Sequence, residues 1–292
     1  MMTDRDSIQR FLFEQFPVRG KLVHLDSSWR EVLARHPYPP GIREALGEAM
    51  AATSLLISTL KLDGALTLQL QGDGPLKLLV VRCTSGMALR GLARWEGEVT
   101  GGSLASMTGE GRLAVTLESH AEKNRYQSIV PLAGHGIADC LQAYFATSDQ
   151  LPTRLWLAAD QSRAAGLLLQ RLPGELGEDH DAWSRVSQLA DTITQRELLT
   201  LPGQTVLRRL FHEEDLRLFD PAPVHFACHC SRERVETILR SLGLAEVRSV
   251  LEEQGQVEVH CEFCNRTYRF DAVDVEAVFA SDLTLDKPRT VH

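Results

Sequence analysis

The chain has 292 residues, of which 43% are hydrophobic and 24% charged, and its formal net charge at pH 7 is −8. These values suit a globular protein of about two domains, and the negative balance argues against electrostatically driven binding to nucleic acid or membrane surfaces. No apolar run is long enough for a membrane helix, and the acidic start Met1-Met2-Thr3-Asp4-Arg5-Asp6 does not resemble a secretory signal, so a cytosolic protein is expected.

Residues 1–173 are predicted to form an N-terminal domain of mixed sheets and helices. A short helix capped by Ser27 or Ser28 is expected, followed by a long helix from Pro40 to about Leu60. The buried stripe of the long helix is predicted at Ile42, Leu46, Met50, Ile57 and Leu60. Strands are predicted at 11–13, 18–25, 66–71, 76–82, 87–95, 111–117, 126–131, 155–158 and 166–170, and a further helix at 139–146. Strands in runs, with helices gathered separately, indicate an α+β fold.

Residues 174–223 are predicted to form a metastable helical linker. The segment carries ten acidic residues and five arginines, and it ends in the linker-like Asp220-Pro221-Ala222-Pro223. Trp183, Val186 and Ile193 recur at helical spacing, which predicts one amphipathic helix over about 181–199, and a second helix is predicted at 204–212. The stripe of Trp183, Val186 and Ile193 has two interpretations. It is either plain core packing or an apolar surface that is covered until the segment opens.

Residues 224–283 are predicted to form a small α+β module, and 284–292 a loose tail. A short strand at 224–227 leads to Ser231, which is expected to cap a helix that Gly243 ends. The apolar stripe of that helix is predicted at Val235, Ile238, Leu239 and Leu242. Strands at 256–260 and 267–270 and a helix at 272–280 complete the module.

Four of the six cysteines lie in this module, as Cys228-His229-Cys230 and Cys261-Glu262-Phe263-Cys264. Two thiol pairs at such spacing can converge on one tetrahedral ion, and in a cytosolic chain zinc is the first candidate. Residues two apart in an extended strand face the same side, so Cys228 and Cys230 can both reach the ion. Four thiolates leave no position for water, which predicts a structural or regulatory zinc. The nearby His225, His229 and His260 are treated as non-ligands.

The same cysteines can also form local disulfides. Zinc-bound sulfur is kept as thiolate, the form that oxidants attack, and each cysteine has a partner next to it in the chain. The bonds Cys228–Cys230 and Cys261–Cys264 are therefore predicted in the oxidised form. Structural zinc contributes an apparent ~10–16 kcal/mol to the folding of a small module. A whole domain is typically stable by only ~5–15 kcal/mol, so the module is expected to unfold when zinc leaves.

Several motifs together resemble the heat shock protein 33 family, the redox-regulated holdase chaperones of bacteria. They are C-x-C-S-x-E-R from Cys228, C-x-F-C from Cys261 followed by Tyr268 and Phe270, the segment 144–153, the opening 10–14 with Val18-Arg19-Gly20, and Leu62-Asp63-Gly64 with the segment 71–76. The resemblance spans nearly the whole chain. It implies that the reduced, zinc-bound protein is inactive and that oxidation, with unfolding of the C-terminal half, activates it. It also implies that the active form dimerises and holds unfolding clients without ATP, the N-terminal domain serving client binding and dimerisation. With this resemblance, the second interpretation of the stripe of Trp183, Val186 and Ile193 becomes a client-binding surface that is exposed on oxidation.

Other functions have less support in the sequence. Cys83 and Cys140 lack partner spacing and are expected to be packed in the core. A zinc-module nucleic-acid-binding regulator is the main alternative, but residues 224–292 carry eight basic and twelve acidic side chains, a net charge of −4 that repels phosphate. A zinc hydrolase would need an open coordination position and a general base. Gly134-His135-Gly136 lacks a nucleophile motif, so no enzyme is expected, and the lack of a phosphate-binding loop fits a protein that does not run on ATP.

Overall fold

The computed structural model describes residues 6–99, 101–121, 124–148, 151–174 and 179–283, with only the backbone for 281–283. The chain divides into two compact units, Met1–Ala227 and Cys228–His292. The predicted tail 284–292 lies outside the described residues. The separation of 174–223 from the N-terminal domain as a metastable linker stays a prediction. Within the described ranges, no helix has both the length and the apolar composition needed to cross a membrane.

The secondary structure confirms a mixed α+β fold. In chain order the elements are β1 (Ser7–Phe13), β2 (Val18–Leu25), α1 (Ser27–Leu33), α2 (Pro40–Thr59), β3 (Gly64–Gln71), β4 (Leu76–Thr84), β5 (Ala88–Trp95), α3 (Leu104–Thr108), β6 (Arg112–Ser119), β7 (Arg125–Val130), α4 (Ile137–Thr147), β8 (Thr153–Ala159), β9 (Ala164–Arg171), α5 (Ala182–Asp191), α6 (Gln195–Thr200), α7 (Gly203–Phe211), β10 (Leu216–Leu218), β11 (Ala222–Pro223), β12 (His225–Phe226), α8 (Arg232–Leu242), α9 (Leu244–Gln254), β13 (Val257–His260), β14 (Thr267–Phe270) and α10 (Ala272–Leu283).

The first unit is built around α2, which contacts strands of two sheets. One sheet has the order β10-β1-β2-β9-β8, with β11 also paired to β1, and the other has the order β12-β5-β4-β3-β6-β7. The sheets approach α2 closely where they carry glycine: a Cβ at Gly91 would lie 3.2 Å from Leu46, and one at Gly166 would lie 2.8 Å from Leu55. The helix is therefore buried on most of its circumference. Leu60, expected in its buried stripe, is instead 40% exposed because the helix ends before it.

The cap of α1 differs from the prediction. Ser27 and Ser28 are already helical, and the residue that satisfies the first turn is the distant Asp6. Its carboxylate accepts hydrogen bonds from the backbone N–H groups of Asp26, Ser27 and Ser28 at 2.8–2.9 Å. A cap supplied by another part of the chain leaves no local sequence signal.

The predicted single helix over 181–199 is wrong, because the structure has two helices there. Thr194 caps α6: its hydroxyl accepts from the N–H of Glu197 at 3.2 Å, while the Glu197 carboxylate accepts from the N–H of Thr194 at 3.0 Å. Together with α7, these helices bury their apolar side chains against the sheet of β1, β2 and β9. The cluster includes Phe11, Leu22, Leu167, Val186, Leu198, Val206 and Phe211.

In the part of the second unit that the structure describes, α8, α9, α10 and the β13–β14 hairpin pack around a small core. Its buried members are Val235, Leu239, Val247, Val257, Tyr268, Phe270, Val275 and Val278. The sequence did not predict α9. Of the four side chains predicted to be the buried face of α8, Val235 and Leu239 are buried. The prediction is wrong for the other two, because Ile238 is 53% and Leu242 58% exposed.

Candidate metal centre

The four clustered cysteines are positioned by two short backbone segments. Cys228 and Cys230 lie in the segment between β12 and α8, and Cys261 and Cys264 lie in the turn between β13 and β14. The carbonyl of Cys261 accepts hydrogen bonds from the N–H of Cys264 at 3.3 Å and from the N–H of Asn265 at 2.7 Å. These two bonds close the turn that carries the thiols. Asn265 has a φ of 54°, a left-handed conformation that asparagine tolerates better than most residues. The turn therefore projects both of its thiols to one side.

The sulfur atoms of all four cysteines lie within 4.8 Å of one another. The Cys228 and Cys261 sulfurs are 3.6 Å apart, and those of Cys230 and Cys264 are 3.3 Å apart. Sulfurs bonded to a tetrahedral zinc at ~2.3 Å are separated by about 3.8 Å, whereas a disulfide requires about 2.05 Å. No disulfide joins these four cysteines, and the spacing of their sulfurs fits a single metal ion. The two close contacts each join cysteines of different pairs, so the predicted disulfides Cys228–Cys230 and Cys261–Cys264 stay predictions.

The thiol environment differs from one cysteine to the next. Burial opposes ionisation of Cys230, but hydrogen bonds from the Tyr268 hydroxyl and from neighbouring thiols outweigh it and lower the pKa of Cys230 to about 7. Burial and the adjacent thiols raise the pKa of Cys264 to about 12. A bound metal would deprotonate all four, because only the thiolate is a ligand.

The histidines near the cluster are not part of it. The group of metal-binding side chains within the described residues contains the four cysteines alone. His229 is exposed, and its carbonyl accepts from Arg234 at 2.6 Å. The ring of His260 contacts the hydroxyl of Thr267 at 3.0 Å, and His225 lies in β12. The four-thiol set predicted from spacing is the one that the fold brings together.

Contacts between the elements of the second unit hold the cluster in place. The Ser231 hydroxyl caps α8 by accepting from the N–H of Arg234 at 3.3 Å, as predicted. Arg232 stacks over the ring of Phe270 at 4.3 Å and pairs with Asp274 at 2.7 Å. The two contacts of Arg232 connect the residues after Cys230 to β14 and α10. They carry no recognisable sequence signal, because they join positions about forty residues apart.

The other residues singled out in the sequence lie in the first unit. Val186 is buried, and Trp183 and Ile193 pack at the margin of the same apolar cluster. Their proposed exposure on oxidation is a property of another state and stays a prediction. Cys83 and Cys140 are buried, as expected, and burial raises the pKa of the Cys83 thiol to about 12.

Comparisons with known proteins agree with this architecture. The family model described as Hsp33 protein matches residues 6–271. A protein named 33 kDa chaperonin from Nitrosococcus oceani is 51% identical over 291 residues and covers 100% of both chains. Another from Methylobacillus flagellatus is 49% identical over 282 residues and covers 96% of each chain. The crystal structure of a 33 kDa chaperonin from Thermotoga maritima shares the fold, with a TM-score of 0.82 at 24% identity, covering 96% of this chain and 99% of the other.

Proposed function

We propose a redox-controlled holdase function for this chain, which belongs to the Hsp33 family. Membership of this family supports a chaperone role and the binding of unfolded client proteins. The finer proposal is that the reduced, zinc-bound protein is inactive and that oxidation of the four cysteines activates it. The active form holds clients without ATP, as a homodimer, in the cytoplasm.

The observation that carries the proposal is the group of four cysteine sulfurs within 4.8 Å of one another. Cys228, Cys230, Cys261 and Cys264 would hold one Zn²⁺ as a closed four-thiolate shell, which supplies cross-linking and no catalysis. Such a shell stabilises the fold while the cysteines are reduced. The four sulfur atoms that bind the metal are also the atoms that an oxidant attacks. The metal is therefore the element that oxidation can remove.

Each oxidation step balances with a peroxide as oxidant. A thiolate attacks the peroxide O–O bond and becomes a sulfenic acid, releasing water or an alcohol. A second cysteine attacks the sulfenic sulfur, forms the disulfide and releases water. Two peroxide molecules thus convert four thiols into two disulfides, and the zinc loses its ligands. We propose the pairs Cys228–Cys230 and Cys261–Cys264, because partners two or three residues apart remain neighbours in an unfolded chain.

Unfolding of the second unit follows from the size of its core. Among the described residues, eight buried side chains form that core, and a structural zinc contributes an apparent ~10–16 kcal/mol to a fold of this size. The unit should not stay folded without its metal. Opening of the adjacent segment 174–223 would then expose the apolar side chains that now cover the sheet of β1, β2 and β9, including Trp183, Val186 and Ile193. Newly exposed apolar surface can bind unfolded chains.

The test compares suppression of client aggregation by the reduced, zinc-loaded protein and by the peroxide-treated protein. We expect suppression only after oxidation, and its loss when dithiothreitol and zinc are restored. A variant with Cys228, Cys230, Cys261 and Cys264 all changed to Ser removes redox control, whereas Cys83→Ser keeps it. Equal suppression by the reduced and oxidised wild type would refute the proposed switch. Peptide mapping of the oxidised protein tests the disulfide pairing.

A further inference from the structure

Residues 215–224 form an extended strap along the outer edge of β1, on the side away from β2. The strap contains β10 and β11, and both pair antiparallel with β1. The N–H of Glu14 donates to the carbonyl of Asp215 at 3.0 Å, and the N–H of Phe219 donates to the carbonyl of Arg10 at 3.0 Å. The strap therefore covers the outer edge of β1 from one end of the strand to the other.

Backbone hydrogen bonds, more than buried side chains, hold the strap on β1. Of the residues in the strap, all of which the structure describes, only Val224 is buried. Leu218 is 42% exposed and Phe219 is 36% exposed. Pro221 and Pro223 have no N–H to donate, so the strap cannot complete its ladder there. A segment held in this way is weakly attached, and extended chains of other sequences can take its place.

The strap also shows which side chains suit this edge. Leu216 lies opposite Phe13 in the antiparallel register, and Leu218 lies opposite Phe11. Residues directly opposite each other place their side chains on the same face of a sheet, about 4.5–5.5 Å apart at Cβ. Phe11 and Phe13 are buried on the face that α7 covers, where both rings meet that of Phe211. When α7 leaves, two aromatic rings flank the edge and favour an incoming strand with an apolar residue at every second position.

We propose that the strap occupies the place of a client. In the active protein the strap leaves, and the outer edge of β1 binds an extended, apolar-rich segment of an unfolding protein as an additional strand. This inference rests on the proposed function, because most of the strap belongs to the segment 174–223 that opens on activation. An uncovered strand edge is ready to pair with another chain. Strand addition takes its affinity from the main chain, so it accepts clients of many sequences.

The register of β1 gives this binding mode a specific signature. Alternate residues of an antiparallel strand direct their N–H groups to opposite neighbours. The bonds at Arg10 and Glu14 show that even-numbered residues face the strap, so the N–H of Leu12 faces it too. The N–H groups of Gln9 and Phe11 face β2, which pairs with β1 on the other side. Strand addition protects only the first set, whereas binding through side chains alone protects neither set selectively.

Hydrogen exchange resolved to single amides of the full chain tests the proposal. Three samples are compared: reduced and zinc-loaded, peroxide-treated, and peroxide-treated with heat-unfolding citrate synthase bound. We expect the amides of Arg10, Leu12 and Glu14 to exchange at least about tenfold faster after oxidation and to slow again when citrate synthase binds. The amides of Gln9 and Phe11 should stay protected in all three samples.

A proline substitution at the edge provides a second test. Leu12→Pro removes one outward N–H, and proline is tolerated at such positions in an edge strand. Gln127→Pro is the matched control in β7, the last strand of the other sheet. There the N–H of Ser119 donates to the carbonyl of Asn124 at 3.1 Å, so in the register of β6 and β7 the N–H of Gln127 points away from β6.

After complete oxidation, Leu12→Pro should raise the protein concentration needed for half-suppression of citrate synthase aggregation by about two- to tenfold, the effect of one hydrogen bond. Gln127→Pro should leave that concentration unchanged. An equal effect of both substitutions, or none from Leu12→Pro, would overturn the assignment of client binding to the edge of β1.

Two exchange results would also overturn the proposal. One is an edge that stays protected in oxidised protein without client, because the strap or that of a second copy still covers it. The other is an edge that stays unprotected when citrate synthase is bound. The variant with all four clustered cysteines changed to Ser should show the same alternating pattern without oxidant. Failure of the redox switch and failure of this inference are therefore distinguishable.

Discussion

The hydroxyl of Tyr268 donates a hydrogen bond to the sulfur of Cys230 across 3.2 Å. Tyr268 lies in β14 opposite Val259 and is 9% exposed, so its ring belongs to the core of the second unit. One side chain thus joins the candidate metal centre to the apolar core that the metal is expected to stabilise. The state of the sulfur and the packing of the unit are therefore physically coupled.

Replacing Tyr268 by Phe keeps the ring and removes this hydrogen bond. Loss of a partner that orients a metal ligand commonly costs 10–100-fold in metal affinity. We expect Tyr268→Phe to lower zinc affinity by about tenfold and to speed peroxide-driven zinc release, because the Cys230 thiolate loses a donor. Competition with a chromophoric chelator measures both. Tyr126→Phe, at an exposed position in β7, is the control. Unchanged affinity in Tyr268→Phe would show that the bond does not support the metal.

Removing zinc with a chelator under reducing conditions should unfold the second unit without any disulfide. Its core is too small to offset the loss of about 10–16 kcal/mol. Hydrogen exchange should show loss of protection in α8, β13 and β14, with α2 still protected. A second unit that keeps its protection after complete zinc removal would contradict the assigned role of the metal.

Phe211 anchors α7 on the sheet beneath it. It is 2% exposed, and its ring meets that of Phe13 edge-on at a centroid distance of 5.2 Å. Phe211→Ala should destabilise the docked helices by about 3–5 kcal/mol, as expected for a buried aromatic side chain. We therefore expect faster hydrogen exchange in α5–α7 and activation at a lower oxidant dose. The more exposed Phe219→Ala should change neither by much. If Phe211→Ala is activated at the same oxidant dose as the wild type, opening of this segment does not control activation.

Lys21 gives the first unit a defined pH dependence. Burial, with the nearby Arg19 and Arg10 as smaller causes, lowers its pKa to about 7, while its amine donates to the carbonyl of Ser58. Between about pH 7 and 10.5 the unfolded chain binds a proton that the folded chain lacks, so stability rises with pH there, by at most about 1.4 kcal/mol per pH unit. Below about pH 7 this contribution has no slope.

Urea unfolding followed by tryptophan fluorescence measures this slope, since all four tryptophans lie in the first unit. Lys21→Met should flatten the rise, and the exposed Lys61→Met should leave it unchanged. A wild-type slope that persists in Lys21→Met would assign the effect to another group.

The metal-binding residues were predictable because their spacing is a local pattern that the backbone converts directly into proximity. Most strands and α2 followed from alternation and helical periodicity for the same reason. The division between α5 and α6 was missed because the apolar stripe continues through it, although Thr194-x-x-Glu197 is a capping-box signature that outweighs the stripe. The capping of α1 by Asp6 and the bond from Tyr268 to Cys230 depend on long-range contacts, which no local pattern encodes. The exposed Ile238 and Leu242 show the limit of helical periodicity. It predicts which face of a helix is apolar, but not how much of that face other elements bury.

The most direct test of the central claim follows zinc release, free thiols and suppression of client aggregation together in one peroxide titration. The account predicts that zinc release and the loss of four thiols coincide, and that aggregation suppression appears with them and not before. Full suppression by protein that still holds its zinc and all four thiols would contradict it.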